Sequence, residues 1–338
     1  MPIVRRVLLL VALLSTGCSG ANLPFGGAHS GAPGAWSAAS PLTLPPVLLY
    51  VAGGSQSTRH PDIAVFNAQQ KGSNVQPLYT IPPRGGGFYD LLAVDGKNDL
   101  YVMNDFPNGT QLDVFPPGKK TPEISCLLAT PPSRLGMSIA GSTLYMTTDQ
   151  YTIEEYSLPL HVAKSCPKPA KTLTDERAKL RGDFMFAAVA TPQGSIFDDW
   201  QSAVGQGSQY LDEFPAGSEN ARRYAPLGLD AGYYMASDNR GNLVADVSVT
   251  SNGYGGKIAL FRYGSHHPTL SHPISNGMYL GFAFGNHDTE LFAAQDYPAT
   301  VVGVYAYDPA TGKVGKELRA YSSGIWRGAQ SIAVFSRS

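Results

Sequence analysis

A hydrophobic couplet that recurs roughly every 45 to 50 residues constrains the fold of this chain more than any other feature. Six couplets form the series: Leu49-Tyr50, Leu100-Tyr101, Leu144-Tyr145, Ile196-Phe197, Leu243-Val244 and Leu291-Phe292. After each couplet a second strand-like segment ends on an aromatic residue: Phe66, Phe115, Tyr156, Phe214, Phe261 and Tyr307. A period of this length, with several short strands per unit, is typical of a β-propeller.

One repeat shows how many strands each unit contains. Four strand-like segments occupy 91–95, 100–103, 111–115 and 123–128, and turns or loops separate them. Glycine and asparagine in the first turn supply the positive φ angles that a tight hairpin needs. Six such units predict an all-β, six-bladed β-propeller with four antiparallel strands per blade.

The two ends of the repeat region predict how the ring closes. The region begins on a second-type strand at 47–51 and ends on a first-type strand at 331–335. If these segments pair, the C-terminal strand completes the N-terminal blade and no sheet edge is left open.

Residues 1–18 have the features of an export signal. Arg5 and Arg6 precede an apolar run at 7–14, and small residues then lead to Cys18. The run is too short to span a bilayer as a helix, whereas a signal peptide has this layout.

The end of this segment, at 15–18, resembles the bacterial lipobox. The resemblance implies that Cys18 is lipidated after cleavage and holds the protein on a membrane surface of the bacterial cell envelope. Ser19 favours the outer membrane where the host has one. The alternative is a secreted protein in which Cys18 is an ordinary thiol.

The remaining chain divides into a tether and one domain. Residues 19–46 consist mostly of Gly, Ala, Ser and Pro, which predicts a flexible tether. Residues 47–338 form the propeller, which we expect to be monomeric. A formal net charge of −1 indicates neither a nucleic-acid partner nor a membrane contact beyond the lipid anchor.

Cys126 and Cys166 are the other two cysteines of the chain. An even pair in an exported protein favours a disulfide over two free thiols or a metal or catalytic role. The repeat register places the pair on neighbouring blades, where a disulfide would link the outer strands.

The repeat unit resembles a known group of propellers. The segments LAVD at 92–95, LYV at 100–102 and VF at 114–115, with the turn glycine Gly118, are similar to NHL-repeat and SMP-30/gluconolactonase-like propellers. That group includes metal-dependent lactonases and esterases, lyases, and binding proteins. Its metal ligands have no assignable counterpart here, because acidic residues such as Asp95 lie at hairpin turns, where aspartate is common.

We expect the ligand to bind on one face of the predicted ring. The loops between blades and the loops between second and third strands lie on this face. The loops between blades are rich in glycine, arginine and aromatic residues, a composition suited to a flat polar or anionic ligand. The strongest candidates for ligand contact are Tyr89, Arg181, Tyr233, Trp326 and Arg327. The alternative is that these aromatics fill the space between wedge-shaped blades.

The loops between second and third strands are acidic. Asp105, Asp149, Asp199 and Asp296 are the candidate ligands for Ca²⁺ or another divalent cation, which prefers oxygen ligands. The alternative is that each aspartate caps its own loop.

Two functions are consistent with these patterns. The first is an anchored propeller that binds a small polar molecule or an envelope protein and needs no cofactor. The second is a metal-dependent lactonase, esterase or lyase with a cation at the channel. Because the chain has no G-x-S-x-G, H-E-x-x-H or phosphate-loop motif, the binding role is favoured.

Overall fold

The structure is a computed structural model of the chain. It describes residues 44–54, 62–71, 75–84, 88–106, 109–128, 136–147, 151–160, 166–182, 184–201, 208–229, 234–248, 256–273, 278–296, 301–321 and 327–336. Within these residues the chain forms six four-stranded antiparallel sheets, so the predicted six-bladed β-propeller is confirmed.

Each blade is numbered in chain order, and its strands are given from the first to the fourth. Blade 1 contains β24 (Arg327–Ser336), β1 (Val47–Gly54), β2 (Asp62–Asn67) and β3 (Tyr79–Ile81). Blade 2 contains β4 (Phe88–Val94), β5 (Leu100–Phe106), β6 (Gly109–Phe115) and β7 (Ile124–Leu127). Blade 3 contains β8 (Met137–Ala140), β9 (Thr143–Thr147), β10 (Thr152–Ser157) and β11 (Lys171–Thr174).

The second half of the chain repeats this arrangement. Blade 4 contains β12 (Phe184–Ala190), β13 (Ile196–Gln201), β14 (Ser208–Phe214) and β15 (Arg222–Leu229). Blade 5 contains β16 (Met235–Ser237), β17 (Leu243–Ser248), β18 (Gly256–Phe261) and β19 (Thr269–Pro273). Blade 6 contains β20 (Met278–Gly285), β21 (Glu290–Asp296), β22 (Val301–Asp308) and β23 (Lys313–Tyr321).

A short helix, α1 (Glu176–Arg181), leads from the fourth strand of blade 3 to the first strand of blade 4. Asp175 caps its N-terminus, and Gly182 ends it at a φ of 68°. No helix in the described part of the chain is long and apolar enough to cross a membrane.

The ring closes by pairing of the first and last strands of the repeat region, as predicted. β1 pairs antiparallel with β24 from Val47 opposite Ser336 to Ala52 opposite Ser331. The first strands of neighbouring blades contact each other around the whole ring, from β24 through β4, β8, β12, β16 and β20. The first strands therefore surround the central axis.

The hydrophobic core is divided among the six interfaces between blades, because side chains alternate along a strand. Leu49 packs between blades 6 and 1, while its neighbour Tyr50 packs between blades 1 and 2. Leu100 and Tyr101 divide in the same way between the two interfaces of blade 2. Each couplet therefore anchors its blade to both neighbours, which explains why the couplet recurs in the sequence.

The disulfide between Cys126 and Cys166 is present, with an S–S distance of 1.97 Å. Cys126 lies in β7 of blade 2, and Cys166 lies shortly before β11 of blade 3. The disulfide thus links the outer parts of two neighbouring blades, as predicted.

Candidate functional site

The two faces of the ring are reached by different connections. We call the face with the loops between blades and between second and third strands the loop face. The opposite face carries the turns between first and second strands and between third and fourth strands, and we call it the turn face. Most loop-face connections lie at least partly outside the described residues. The turns between first and second strands, and most of those between third and fourth strands, lie within them.

The predicted ligand contacts belong to the loop face. Tyr89 is fully buried, stacks edge-on against Phe115, and donates a hydrogen bond of 2.8 Å to the Pro82 carbonyl. Its side chain therefore packs between blades 1 and 2. Arg181 is the last residue of α1 and Arg327 the first of β24, but their side chains lie outside the described residues.

Two further ligand predictions and the lipidation site cannot be placed. Tyr233, Trp326 and Cys18 lie outside the described residues. Their roles stay predictions.

The predicted metal ligands are only partly described. Asp199 is fully buried in β13, opposite Leu211 of β14. Asp105 pairs with Thr110 in the backbone of blade 2 and Asp296 with Met278 in blade 6, but neither side chain is described; Asp149 lies outside the described residues. Among the residues that are described, no group of three or more His, Cys, Asp or Glu is arranged to hold a metal ion.

A cluster of buried carboxyl groups, which the sequence analysis did not predict, lies where blade 3 meets blade 4. Asp198 lies directly opposite Asp212 in the sheet, and both are fully buried, as is Asp175. Asp212 accepts a hydrogen bond of 3.0 Å from Nε of Arg223. Asp175 accepts hydrogen bonds from the Arg177 and Ala178 amides at the start of α1.

Burial and neighbouring charges favour the neutral form of Asp198, the third carboxyl group of this cluster. Burial raises the pKa of Asp198 well above its ordinary range, and the neighbouring carboxylates of Asp175 and Asp212 raise it further. The Asp175 and Asp198 side chains are close enough to interact where the two blades meet. We therefore expect the stability of the propeller to depend on pH.

We expect Asp198→Asn to stabilise the protein at neutral and alkaline pH and to change its stability little near pH 4. A raised pKa in the folded state means that wild-type stability is fully present below the unfolded pKa and is lost as pH rises through the folded pKa. Asparagine has no such titration. Urea unfolding of both proteins from pH 4 to pH 8 measures the difference, and a difference that stays constant with pH would contradict this assignment.

A cavity of about 310 Å³ opens on the turn face of the ring. Its lining comes from the first strands and adjoining turns of blades 1, 2, 5 and 6. The polar groups around it are Asp95, Ser237, Asn239, His287, Asp288 and Ser336. This volume lies within the range of small-molecule sites, about 300–1,000 Å³.

Side chains at the ends of first strands form the apolar part of the cavity wall. Val94 ends the first strand of blade 2, Phe284 lies near the end of the first strand of blade 6, and Val334 and Phe335 lie near the end of β24. Phe284 also packs against Tyr307, with ring centroids 4.8 Å apart. The wall is thus made by rigid strand ends rather than by long loops.

Hydrogen bonds between blades hold the polar rim. The Asn239 amide of blade 5 donates a hydrogen bond of 2.8 Å to Oδ2 of Asp288 in blade 6. The Asn286 amide of blade 6 donates one of 2.7 Å to Oγ of Ser336 in blade 1. Asp288 is only 8% exposed, and this burial raises the pKa of its carboxyl. The rim therefore joins three consecutive blades around the cavity.

The turn that presents His287 and Asp288 has an uncommon backbone. Asn286, His287 and Asp288 have φ angles of 51°, 55° and 60°, a left-handed stretch without glycine. Such conformations cost free energy and occur often at ligand sites. Contacts from the turn to Ser336 and to Asn239 hold it in place.

The sequence analysis interpreted Asp95 as a turn former and placed the ligand on the opposite face. Asp95 does form its turn, because its Oδ1 accepts hydrogen bonds of 2.9 Å from the amides of Lys97 and Asp99. The run of Asn286, His287 and Asp288 without a following glycine is the sequence signal that could have indicated an unusual turn.

Comparison with known proteins supports the fold class and goes no further. No family model and no curated protein matches the sequence. A chain of a nidogen/laminin complex is similar, with a TM-score of 0.57, 13% identity, and coverage of 86% of this chain and 99% of that one. A protein provisionally named a 6-phosphogluconolactonase from Bacteroides fragilis has a TM-score of 0.55, 11% identity, and coverage of 87% and 99%.

A third solved structure, a protein of unknown function from Bacteroides caccae, has a TM-score of 0.54, 10% identity, and coverage of 86% and 99%. At identities this low, similarity shows the fold alone. The chain is a six-bladed β-propeller with a cavity on its turn face.

Proposed function

We propose that this chain is an exported, lipid-anchored β-propeller that binds a small polar ligand in the cavity of its turn face. The observation that carries the proposal is the cavity itself, which combines two carboxylates, hydroxyl groups and an apolar wall in about 310 Å³. A few polar groups converging in a largely preformed hollow are typical of small-molecule sites. Export and anchoring rest on residues 1–18 and Cys18.

The proposed site is preformed because its parts are fixed by the ring. The strand ends that line it pair within their sheets, and the turn of blade 6 is tied to blades 1 and 5 by hydrogen bonds. A ligand entering such a site orders few additional groups, so little conformational entropy opposes binding.

Gly96→Trp is expected to weaken ligand binding at least about tenfold by filling the mouth of the cavity. Gly96 lines the cavity, its φ is not in the left-handed region, and a Cβ added there meets nothing within 4 Å. The backbone therefore accepts a side chain. Ligand-observed NMR with a set of small polyols, amines and carboxylates, compared between wild type and variant, measures the effect.

Gly96→Ala is the matched control, because it makes the same change to the backbone without filling the cavity. We expect it to bind the same compounds as the wild type. Compounds that bind equally well to all three proteins, or a set in which no compound binds the wild type, would count against the turn face as the ligand site.

The alternative is a metal-dependent lactonase, esterase or lyase with a cation on the loop face. The similarity to the Bacteroides fragilis protein concerns the fold only, and Asp199 is the sole predicted metal ligand whose side chain is described. Elemental analysis of protein purified without chelator separates the two proposals, since a stoichiometric divalent metal would favour the alternative.

A further inference from the structure

The chemistry of the turn-face cavity indicates which kind of ligand it takes. Asp95 and Asp288 contribute two carboxylates, and no lysine or arginine is among the described residues that line the cavity. A third carboxylate, Asp238, lies close behind Asp288, is 1% exposed, and contributes to the raised pKa of Asp288. Against these carboxyl groups the described lining contributes one basic side chain, the exposed His287, so acidic groups predominate around the cavity.

Four backbone amides at the rim already donate hydrogen bonds within the protein. The amides of Lys97 and Asp99 donate to Asp95, the Asn239 amide donates to Asp288, and the Asn286 amide donates to Ser336. What remains towards the cavity is rich in acceptors. An anionic ligand would meet repulsion from carboxylates and few free donors, so this arrangement disfavours sugar acids and phosphates.

Hydrogen bonds also fix the side of the rim that faces the protein interior. Asp238 accepts hydrogen bonds from Nδ2 of Asn242 at 2.7 Å and from the Tyr307 hydroxyl at 2.9 Å. These hydrogen bonds hold the Asp238 carboxyl group in place close behind Asp288. A ligand that carries a positive charge would therefore complement the acidic groups around the cavity.

The apolar wall completes the recognition chemistry. Phe284 and Phe335 line the cavity beside Val94 and Val334. Phenyl faces attract organic cations, and the four side chains offer apolar surface to a hydrocarbon group. The cavity volume of about 310 Å³ suits a molecule with a short hydrocarbon portion.

We propose that the turn-face cavity binds a small organic ammonium ion, with the charged nitrogen at Asp95 and Asp288 and the hydrocarbon portion against Phe284 and Phe335. This inference rests on the proposed function, in which the same cavity is the ligand site. It adds the charge and the chemical class of the ligand.

The test uses three probes of nearly the same shape and different charge: 2-phenylethylammonium, 2-phenylethanol and 3-phenylpropanoate. Isothermal titration calorimetry at pH 7 on the intact protein measures each affinity. We expect the ammonium to bind at least about tenfold more tightly than the alcohol, because hydrogen bonds to charged groups are the stronger ones, and the carboxylate to bind most weakly. Added salt should lower the affinity for the ammonium but not that for the other two probes.

Asp288→Asn is the diagnostic variant, because asparagine still accepts the Asn239 amide but removes the charge. We expect it to reduce the preference for the ammonium over the alcohol about tenfold. Asp308→Asn is the matched control, since Asp308 is exposed on the same blade, does not line the cavity, and changes the net charge equally. It should leave all three affinities unchanged.

The outcomes separate this inference from the proposed function. If the alcohol binds as tightly as the ammonium and Gly96→Trp abolishes both, the cavity is a ligand site but the inference about charge is wrong. If the ammonium does not bind, or if Asp308→Asn and Asp288→Asn act alike, the inference is also wrong. Binding of any probe that Gly96→Trp leaves unchanged contradicts the proposed function itself.

Discussion

Replacing Arg319 with methionine is expected to lower the free energy of unfolding by about 3–5 kcal/mol, the cost of removing one partner from a buried ion pair. Arg319 of blade 6 donates hydrogen bonds of 2.7 and 2.6 Å to the two oxygens of Glu290, and both side chains are about nine-tenths buried. The Ala68 carbonyl of blade 1 accepts hydrogen bonds from both Arg319 and the Tyr321 hydroxyl. The variant therefore leaves a buried carboxylate and loosens the joint where the ring closes.

Urea unfolding at pH 7 measures this effect, and two further variants make it specific. Arg319→Met combined with Glu290→Gln removes the unpaired charge, so we expect it to recover part of the lost stability. Lys171→Met breaks the exposed pair with Glu219, which also joins two blades, and should cost no more than about 1 kcal/mol. Equal losses for Arg319→Met and Lys171→Met would contradict the assignment of Arg319 as the joint.

The double variant Cys126→Ala/Cys166→Ala is expected to lose about 4 kcal/mol of unfolding free energy. The disulfide closes a loop with a sequence separation of 40 residues, and the loss corresponds to the chain entropy that such a cross-link removes from the unfolded state. Cys126 is also buried in the interface between blades 2 and 3, so alanine adds a small loss of packing.

A reducing agent provides the control for this prediction. It should destabilise the wild type by a similar amount and leave the double variant unchanged, which unfolding in urea with and without reductant measures. A wild type insensitive to reductant, with a double variant of equal stability, would show that the cross-link contributes nothing.

The predicted and observed structures agree most closely where the argument used side-chain alternation. Leu100 lies opposite Phe115 and Leu243 lies opposite Phe261, so the couplet and the later aromatic are cross-strand partners. This pairing follows from the period of two along a strand, which any short window of sequence reveals. Blade number, ring closure and the position of the disulfide follow from the recurrence of this couplet and aromatic along the chain.

The candidate site could not be predicted in this way, because its parts come from turns far apart in the chain. The Asn239 amide meets Asp288 across a separation of 49 residues, and the Asn286 amide meets Ser336 across 50. Each of these residues alone has the composition of an ordinary turn. Only the packing of one blade against the next brings them to one rim.

The amino-acid sequence by itself determined the number of blades, the closure of the ring and the Cys126–Cys166 cross-link, since these depend on the order of local repeats. The tertiary structure alone decided that a cavity opens on the turn face and that Asp175, Asp198 and Asp212 meet between two blades. The physical reason is distance along the chain. Alternation sets which way a side chain points within its blade, but the angle between blades sets which side chains meet.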